Sequence, residues 1–180
     1  MKIGYDLDDV IIEFAPGVYR WLGEPYRGPM HIWTDPFIVN NFHRVQYDVN
    51  FWLQLKLLNG PMNLSVQPDV FVTHRCISND ITKRYLDMVG YAGVPVYTVP
   101  RSVSKADKLK ELEVTHFVDD KLSTYNELEA AGIVSVLYIP PYHLPKMDER
   151  RAERQISNIQ NYSKYCNNSY LNEVTLKSYQ

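Results

Sequence analysis

A chain of 180 residues fits one domain of ordinary size, with room for a small insertion and none for two large domains. At 45% hydrophobic and 22% charged residues, the composition is that of a folded globule and excludes disordered, collagen-like and coiled-coil classes. The 19 Lys and Arg against 21 Asp and Glu give a formal net charge of −2 without a basic block, which argues against general duplex nucleic-acid binding.

In chain order, residues 2–5 form a short apolar segment running straight into Asp6, read as a buried strand. Residues 13–68 hold no convincing buried strand but are rich in aromatics: Trp21, Trp33, Phe37, Phe42, Phe51 and Trp52. With a helix expected over 51–58, this stretch reads as a small, mostly helical insertion, and most of its rings are assigned to a small core of its own. Strands follow at 69–73 (DVFVT), 94–99 (VPVYTV), 114–118 (VTHFV) and 133–139 (IVSVLYI). Between them lie helical stretches: 78–89 behind a Ser cap, 104–112 with Leu109 and Leu112 on one face, and 123–131 closed by Gly132. Thr124 and Glu127 have capping-box spacing. Residues 146–162 have charged, helix-like character, and a polar tail follows.

Strands alternating with helices imply a parallel sheet covered on both faces, an α/β fold with a Rossmann-like sheet. The expected units are 1–12 with 69–145 as core, 13–68 as cap, and 146–180 as C-terminal helix and tail. Acids appear within six residues of Met1, and no segment approaches the ~18 apolar residues of a membrane span. Cys76 and Cys166 have neither CxxC nor His-pair spacing, which suits a reducing compartment. The expectation is a cytoplasmic protein with no membrane partner, open to homo-oligomerisation. His31, His43, His116 and His143 lack metal-ligand spacing and receive no role.

In parallel α/β sheets functional groups collect at the carboxyl ends of strands. Here those ends deliver Asp6-Leu7-Asp8-Asp9, Thr73-His74-Arg75 and Asp119-Asp120, and Lys105 opens the helix after the third strand. Carboxylates gathered on one edge repel one another unless a hard, oxygen-seeking cation such as Mg²⁺ holds them. A phosphate would be drawn to that cation, to Lys105 and to free backbone N–H groups such as that of Leu7. Asp6 and Asp8, two apart in a sharp turn, can address one bound group, one attacking phosphorus and the other moving protons. Taken singly these features have plain explanations: a solvated turn, a strand-end hydroxyl, a surface lysine, acids capping the helix near Ser123. Their joint order is what carries weight.

With DLDDV at 6–10, VFVT ending in Thr73, Lys105 opening a helix and the acidic pair of HFVDD, residues 1–139 resemble the haloacid dehalogenase superfamily of phosphohydrolases. The small insertion and the paired Asp are similar to its 5′(3′)-deoxyribonucleotidase branch, including phage and bacterial relatives. The resemblance implies that Asp6 is a nucleophile forming an aspartyl-phosphate and that Asp8 protonates the leaving group, then activates water. It also implies that Thr73 and Lys105 bind the transferring phosphoryl group, with Lys108 as the fallback lysine. Mg²⁺ would sit among Asp6, the main-chain carbonyl of Asp8 and Asp119, with Asp120 reaching it through water. His74 and Arg75 follow the threonine, where Arg75 either contacts the substrate phosphate or pairs with a carboxylate.

Phe14, Trp33 and Trp52 are the rings to consider for base contact. The expected substrate is a small phosphate monoester, in particular a deoxyribonucleoside 5′-monophosphate. Nucleic-acid terminal phosphates and sugar phosphates are the nearest alternatives. A phospho-receiver module and an idle binding protein are the rivals from other classes, and a dehalogenase would need neither Asp8 nor the acidic pair.

Overall fold

The computed structural model describes residues 1–166; the polar tail, from residue 167 on, lies outside the described residues. Strand β1 (Ile3–Tyr5) is buried throughout and runs into the DLDDV turn. A two-residue strand β2 (Ile12–Glu13) leads into helices α1 (Ala15–Trp21), α2 (Pro36–Asn41) and α3 (Val49–Leu53), then β3 (Lys56–Leu57), which pairs antiparallel with β2. The helix expected over 51–58 is thus short and early. Its start is set by Asp48, whose carboxylate accepts from the N–H groups of Asn50 and Phe51, and the chain turns extended by Lys56.

The core then alternates: β4 (Val70–Thr73), α4 (Asn79–Met88), β5 (Val96–Thr98), α5 (Lys105–Glu111), β6 (His116–Asp119), α6 (Leu122–Ala130) and β7 (Val134–Tyr138). Ser78 and Ser104 cap α4 and α5 by accepting from the N–H groups of Ile81 and Ala106. Gly132, at φ +78°, closes α6 in the left-handed conformation that a glycine adopts without strain. The capping box expected at Thr124 and Glu127 does not form. The helix starts at Leu122, so Thr124 already lies inside it, and the Glu127 carboxylate accepts from the Ser104 hydroxyl.

Beyond β7 the expected charged helix over 146–162 is replaced by a 3-10 turn at Glu149–Arg151, a short strand β8 (Gln155–Ile156), a second 3-10 turn at Ile159–Tyr162 and α7 (Ser163–Cys166). Tertiary partners override helix propensity there. Glu149 binds His143 and the Lys146 N–H, and the Arg154 side chain binds Glu129 and the carbonyl of Ser135.

The six strands run in the order β5-β4-β1-β6-β7-β8, and every neighbouring pair is parallel. Such strands, covered on both faces, read as continuous apolar runs, and all four residues of β4 and of β6 are buried. β1 lies at the centre: Tyr5 pairs with Phe71 of β4 and with Val118 of β6. The carboxyl ends of these three strands are therefore adjacent, about 4.8 Å apart from one to the next.

One sheet face packs Val70, Val72 and Phe117 against Leu109 and Leu128 of α5 and α6. On the other, Tyr5, Phe71 and Tyr85 form one continuous cluster with Phe14, Ile38, Phe51 and Trp52. The insertion therefore does not build a separate core as expected. Its rings extend the main one, and each fully buried large ring contributes about 1.5–3 kcal/mol. No helix among the described residues is long and apolar enough to cross a membrane.

Candidate active site

The site begins where β1 ends. The Asp6 N–H donates to the carbonyl of Val118, so the first acid is still held by the sheet. The chain then winds around one carbonyl: the N–H groups of Val10, Ile11 and Ile12 all donate to Leu7 O, at 3.3, 2.8 and 2.9 Å. This turn needs a left-handed residue, and Asp9 takes it at φ +59°, Asp being among the side chains that tolerate that region. The Asp9 carboxylate fixes the turn through one oxygen: Oδ1 accepts from the N–H groups of Phe14 and Ala15 and from the Tyr142 hydroxyl at 2.7 Å, while Oδ2 is buried with no partner among the described residues. Burial pushes its pKa up to about 7.

Lys105 stands in the first turn of α5 and is almost fully buried. Its Nζ lies 3.0 Å from Asp6 Oδ2 and 2.7 Å from Asp119 Oδ2, and these two carboxylates hold the ammonium protonated far above its ordinary range in spite of burial. Lys108 faces elsewhere, pairing with Glu111. Asp119 Oδ1 accepts from the Lys121 N–H, while Leu7 donates its N–H to Asp6 Oδ1 at 2.8 Å.

Asp6, Asp119 and Asp120 each offer an oxygen, and these atoms lie within 4.8 Å of one another. When all three are ionised, these buried carboxylates carry two negative charges beyond the single Lys105 ammonium, the charge of one divalent cation. Burial, opposed by Lys105 and reinforced by Asp119 and Asp8, pushes Asp6 up to about 7. Burial and then the neighbouring acids likewise raise Asp120 well above the carboxylate range. Asp120 Oδ1 is buried with no hydrogen-bond partner among the described residues, so it is open to water or to a cation. The oxygen-only donor set suits a hard ion such as Mg²⁺. Asp119 and Asp120 lie in the same cluster as Asp6.

Asp8 points a different way from Asp6. The Arg75 guanidinium grips its carboxylate with Nε at 3.1 and 3.2 Å from the two oxygens and Nη2 at 2.6 Å from Oδ1. Arg75 is itself buried, with its guanidinium over the Trp52 ring at 4.8 Å. Of the two roles expected for Arg75, the carboxylate pair is the one the fold makes. The Asp8 carboxylate belongs to this pair and not to the three-acid cluster.

A cavity of about 400 Å³ opens over these groups, lined among others by Asp6, Asp8, Thr73, Lys105 and Asp119. Thr73 Oγ1 is buried there without a partner among the described residues. His74 also lines it; its Nδ1 binds Val99 O, and burial together with Lys105 lowers its pKa. The Leu7 side chain is fully buried, leaving only its backbone near the site.

Phe14, Trp33 and Trp52 all line the cavity. Phe14 and Trp52 stack on each other, with centroids 5.7 Å apart, and are nearly inaccessible, whereas Trp33 is 36% exposed. The contacts Trp33–Asp120 (3.0 Å) and Tyr142–Asp9 have no sequence signal, being formed across the fold. Lys121 does have one: it directly follows the acidic pair, and it too lines the cavity.

Comparison with protein-family models yields no match, and a search among curated proteins yields none. Solved structures are similar. A haloacid dehalogenase-like family hydrolase from Streptococcus pneumoniae superposes with a TM-score of 0.58 over 92% of this chain and 98% of its own, at 11% identity. The Unknown transcript 4 protein of Saccharomyces cerevisiae gives 0.51 over 87% and 97%, also at 11% identity. The fold of this chain, a six-stranded parallel α/β sheet with a Rossmann-like order, is thus one it shares with a haloacid dehalogenase-like hydrolase.

Proposed function

We propose that this protein is a Mg²⁺-dependent phosphomonoesterase of the haloacid dehalogenase type that hydrolyses nucleoside 5′-monophosphates, deoxyribonucleotides in particular. One observation carries the reading: Asp6, Asp119 and Asp120 form a buried acidic cluster with a single ammonium, Lys105, paired to two of them, and Asp6, Lys105 and Asp119 line one cavity with a Thr73 hydroxyl that has no partner among the described residues. Asp6, Asp119 and Asp120 would hold the cation, which supplies positive charge against the phosphoryl oxygens.

The Asp6 carboxylate attacks phosphorus, and the ester P–O bond breaks. Asp8 gives a proton to the departing alkoxide, then takes one from the water that attacks the phospho-Asp6 intermediate, releasing phosphate and restoring both acids. Thr73 donates its hydroxyl to a phosphoryl oxygen, and Lys105 offsets the charge that builds there. Arg75 fixes the orientation of Asp8. The Leu7 N–H holds Asp6, and His74, with Nδ1 occupied, leaves Nε2 for the substrate. A cavity of about 400 Å³ is of the size that holds small molecules, about 300–1,000 Å³, and Trp33 offers a partly exposed ring face for a base.

The test is phosphate release with and without Mg²⁺ from deoxy- and ribonucleoside 5′- and 3′-monophosphates, sugar phosphates and end-phosphorylated oligonucleotides, with Asp6→Asn alongside. The expected result is Mg²⁺-dependent release, highest on deoxyribonucleoside 5′-monophosphates and lost in Asp6→Asn. Release that survives the substitution would remove Asp6 as nucleophile, and a sugar phosphate or oligonucleotide as best substrate would replace the nucleotide reading.

A further inference from the structure

The described insertion residues touch the acidic floor in an unexpected way: through a hydrogen bond from an indole to a carboxylate. Trp33 Nε1 donates to Asp120 Oδ2 at 3.0 Å, while Oδ1 of the same carboxylate is buried with no hydrogen-bond partner among the described residues, in a side chain that clusters with Asp6 and Asp119. An indole has one donor and no acceptor, so this bond fixes which carboxylate oxygen is occupied and which is presented. The Lys121 ammonium lies over the Trp33 ring at 5.9 Å.

The segment ahead of Trp33 is tied to the core. The Met30 N–H donates to Tyr142 O at 3.1 Å and the Leu144 N–H to Met30 O at 2.8 Å. The Ile32 N–H reaches His143 Nδ1 at 3.4 Å, and His143 Nε2 is held by Glu149 at 2.9 Å. Trp33 is therefore placed by a strap between the insertion and the loop after β7.

We propose that Trp33 is a positioning residue for the cation. By holding Asp120 Oδ2 it presents Oδ1 to the metal, and so makes the seating of residues 30–34 and cation binding depend on each other. The inference rests on the reading of Asp6, Asp119 and Asp120 as the cation's ligands. Groups that orient metal-binding carboxylates typically change affinity by about 10–100-fold when removed, and coupling between two sites is reciprocal.

The experiment uses the full chain and Mn²⁺ as probe, with free Mn²⁺ read by electron paramagnetic resonance. Trp33→Phe, which keeps an aromatic ring at a part-exposed position but removes the donor, is expected to bind Mn²⁺ about tenfold more weakly, with an unchanged melting temperature in metal-free buffer. Trp21→Phe, in the same insertion but away from the acids, should bind like the wild type. Equal Mn²⁺ affinity in Trp33→Phe and wild type overturns the positioning role while leaving the cation site intact. A wild type that binds no Mn²⁺ removes the ligand reading, and this inference with it. The converse measurement needs no variant: saturating Mg²⁺ should slow hydrogen exchange at the amides of residues 30–34 in the wild type, and unchanged exchange there overturns the coupling.

Discussion

The sheet edge and the insertion face the same cavity but are built differently. At the edge, each polar group sits at a fixed offset from a regular element: Asp6 one residue past β1, Thr73 at the last residue of β4, Asp119 at the last of β6, Lys105 at the first of α5. Their mutual placement follows from parallel strand pairing and is as stiff as the sheet. The insertion instead uses helices of seven, six and five residues and an antiparallel strand pair with two residues a side, held by aromatic packing. Charges that must be desolvated and kept close need a framework that cannot relax, and they lie on the sheet. Rings that shape the cavity tolerate a looser frame, because hydrophobic contact is not directional. Changes at the edge should therefore alter chemistry and stability together, and changes in the insertion should alter affinity.

The sharpest way to break that contrast is at Lys105. Lys105→Met has similar length and no charge, so it leaves Asp6, Asp119 and Asp120 buried without their ammonium. Breaking a buried ion pair by removing one partner costs about 3–5 kcal/mol, and here one cation serves two acids. Urea unfolding in metal-free buffer should show a loss of this size at pH 8. The loss should shrink at pH 5, where acids with raised pKa values take up protons and no longer need the cation. Phosphate release should fall by at least about a thousandfold, the scale of losing a preorganised charge in a phosphoryl-transfer site. Equal stability at pH 8 would show that the ammonium is not what holds these acids together.

The same contrast separates what the sequence reveals from what it hides. β1, β4, β6 and the groups at their ends are legible because an apolar run followed by an acid or hydroxyl is a local pattern, and Lys105 is legible because a Ser cap announces the helix it opens. Asp120 and Trp33 meet across 87 positions and Asp9 and Tyr142 across 133, and no local periodicity encodes such pairings. Residues 146–162 mislead for a related reason. Their charge pattern favours a helix, but His143, Glu129 and the free edge of β7 offer Glu149, Arg154 and Gln155 better partners. The division of Asp6 and Asp8 between Lys105 and Arg75 is half legible: the alternatives for Arg75 can be read from its position, the choice between them cannot.

Arg75 tests the next smaller effect, because it serves the chemistry from behind the cavity wall. Its planar fork holds both oxygens of Asp8, a geometry a lysine ammonium cannot reproduce. Arg75→Lys should keep the charge and lose the orientation. On the best substrate, kcat should fall about tenfold with KM little changed, as when a proton-transfer group is misaligned without loss of binding. Mn²⁺ affinity should stay at the wild-type value, because Asp8 lies outside the three-acid cluster. A raised KM with unchanged kcat would instead make Arg75 a substrate ligand.

The smallest effect concerns Asp120, where edge and insertion meet. Burial and the neighbouring acids raise its folded-state pKa above the ordinary carboxylate value. A group shifted in this direction contributes stability that is fully present below its unfolded pKa and is lost as pH rises through the folded one. The metal-free protein should therefore lose stability as pH climbs from about 4 through neutrality. Asparagine cannot ionise, so Asp120→Asn should flatten that slope and make the metal-free protein at pH 8 more stable than wild type by about 1 kcal/mol. Saturating Mg²⁺ should reverse the order, because a ligand stabilises the state that binds it and the variant has given up one of the oxygens. Melting curves in chelator and in Mg²⁺, each at pH 5 and pH 8, resolve the two signs. A stability difference independent of pH would mean that Asp120 does not change its charge in that range, and an order unaffected by Mg²⁺ would remove its carboxylate from the cation's ligands.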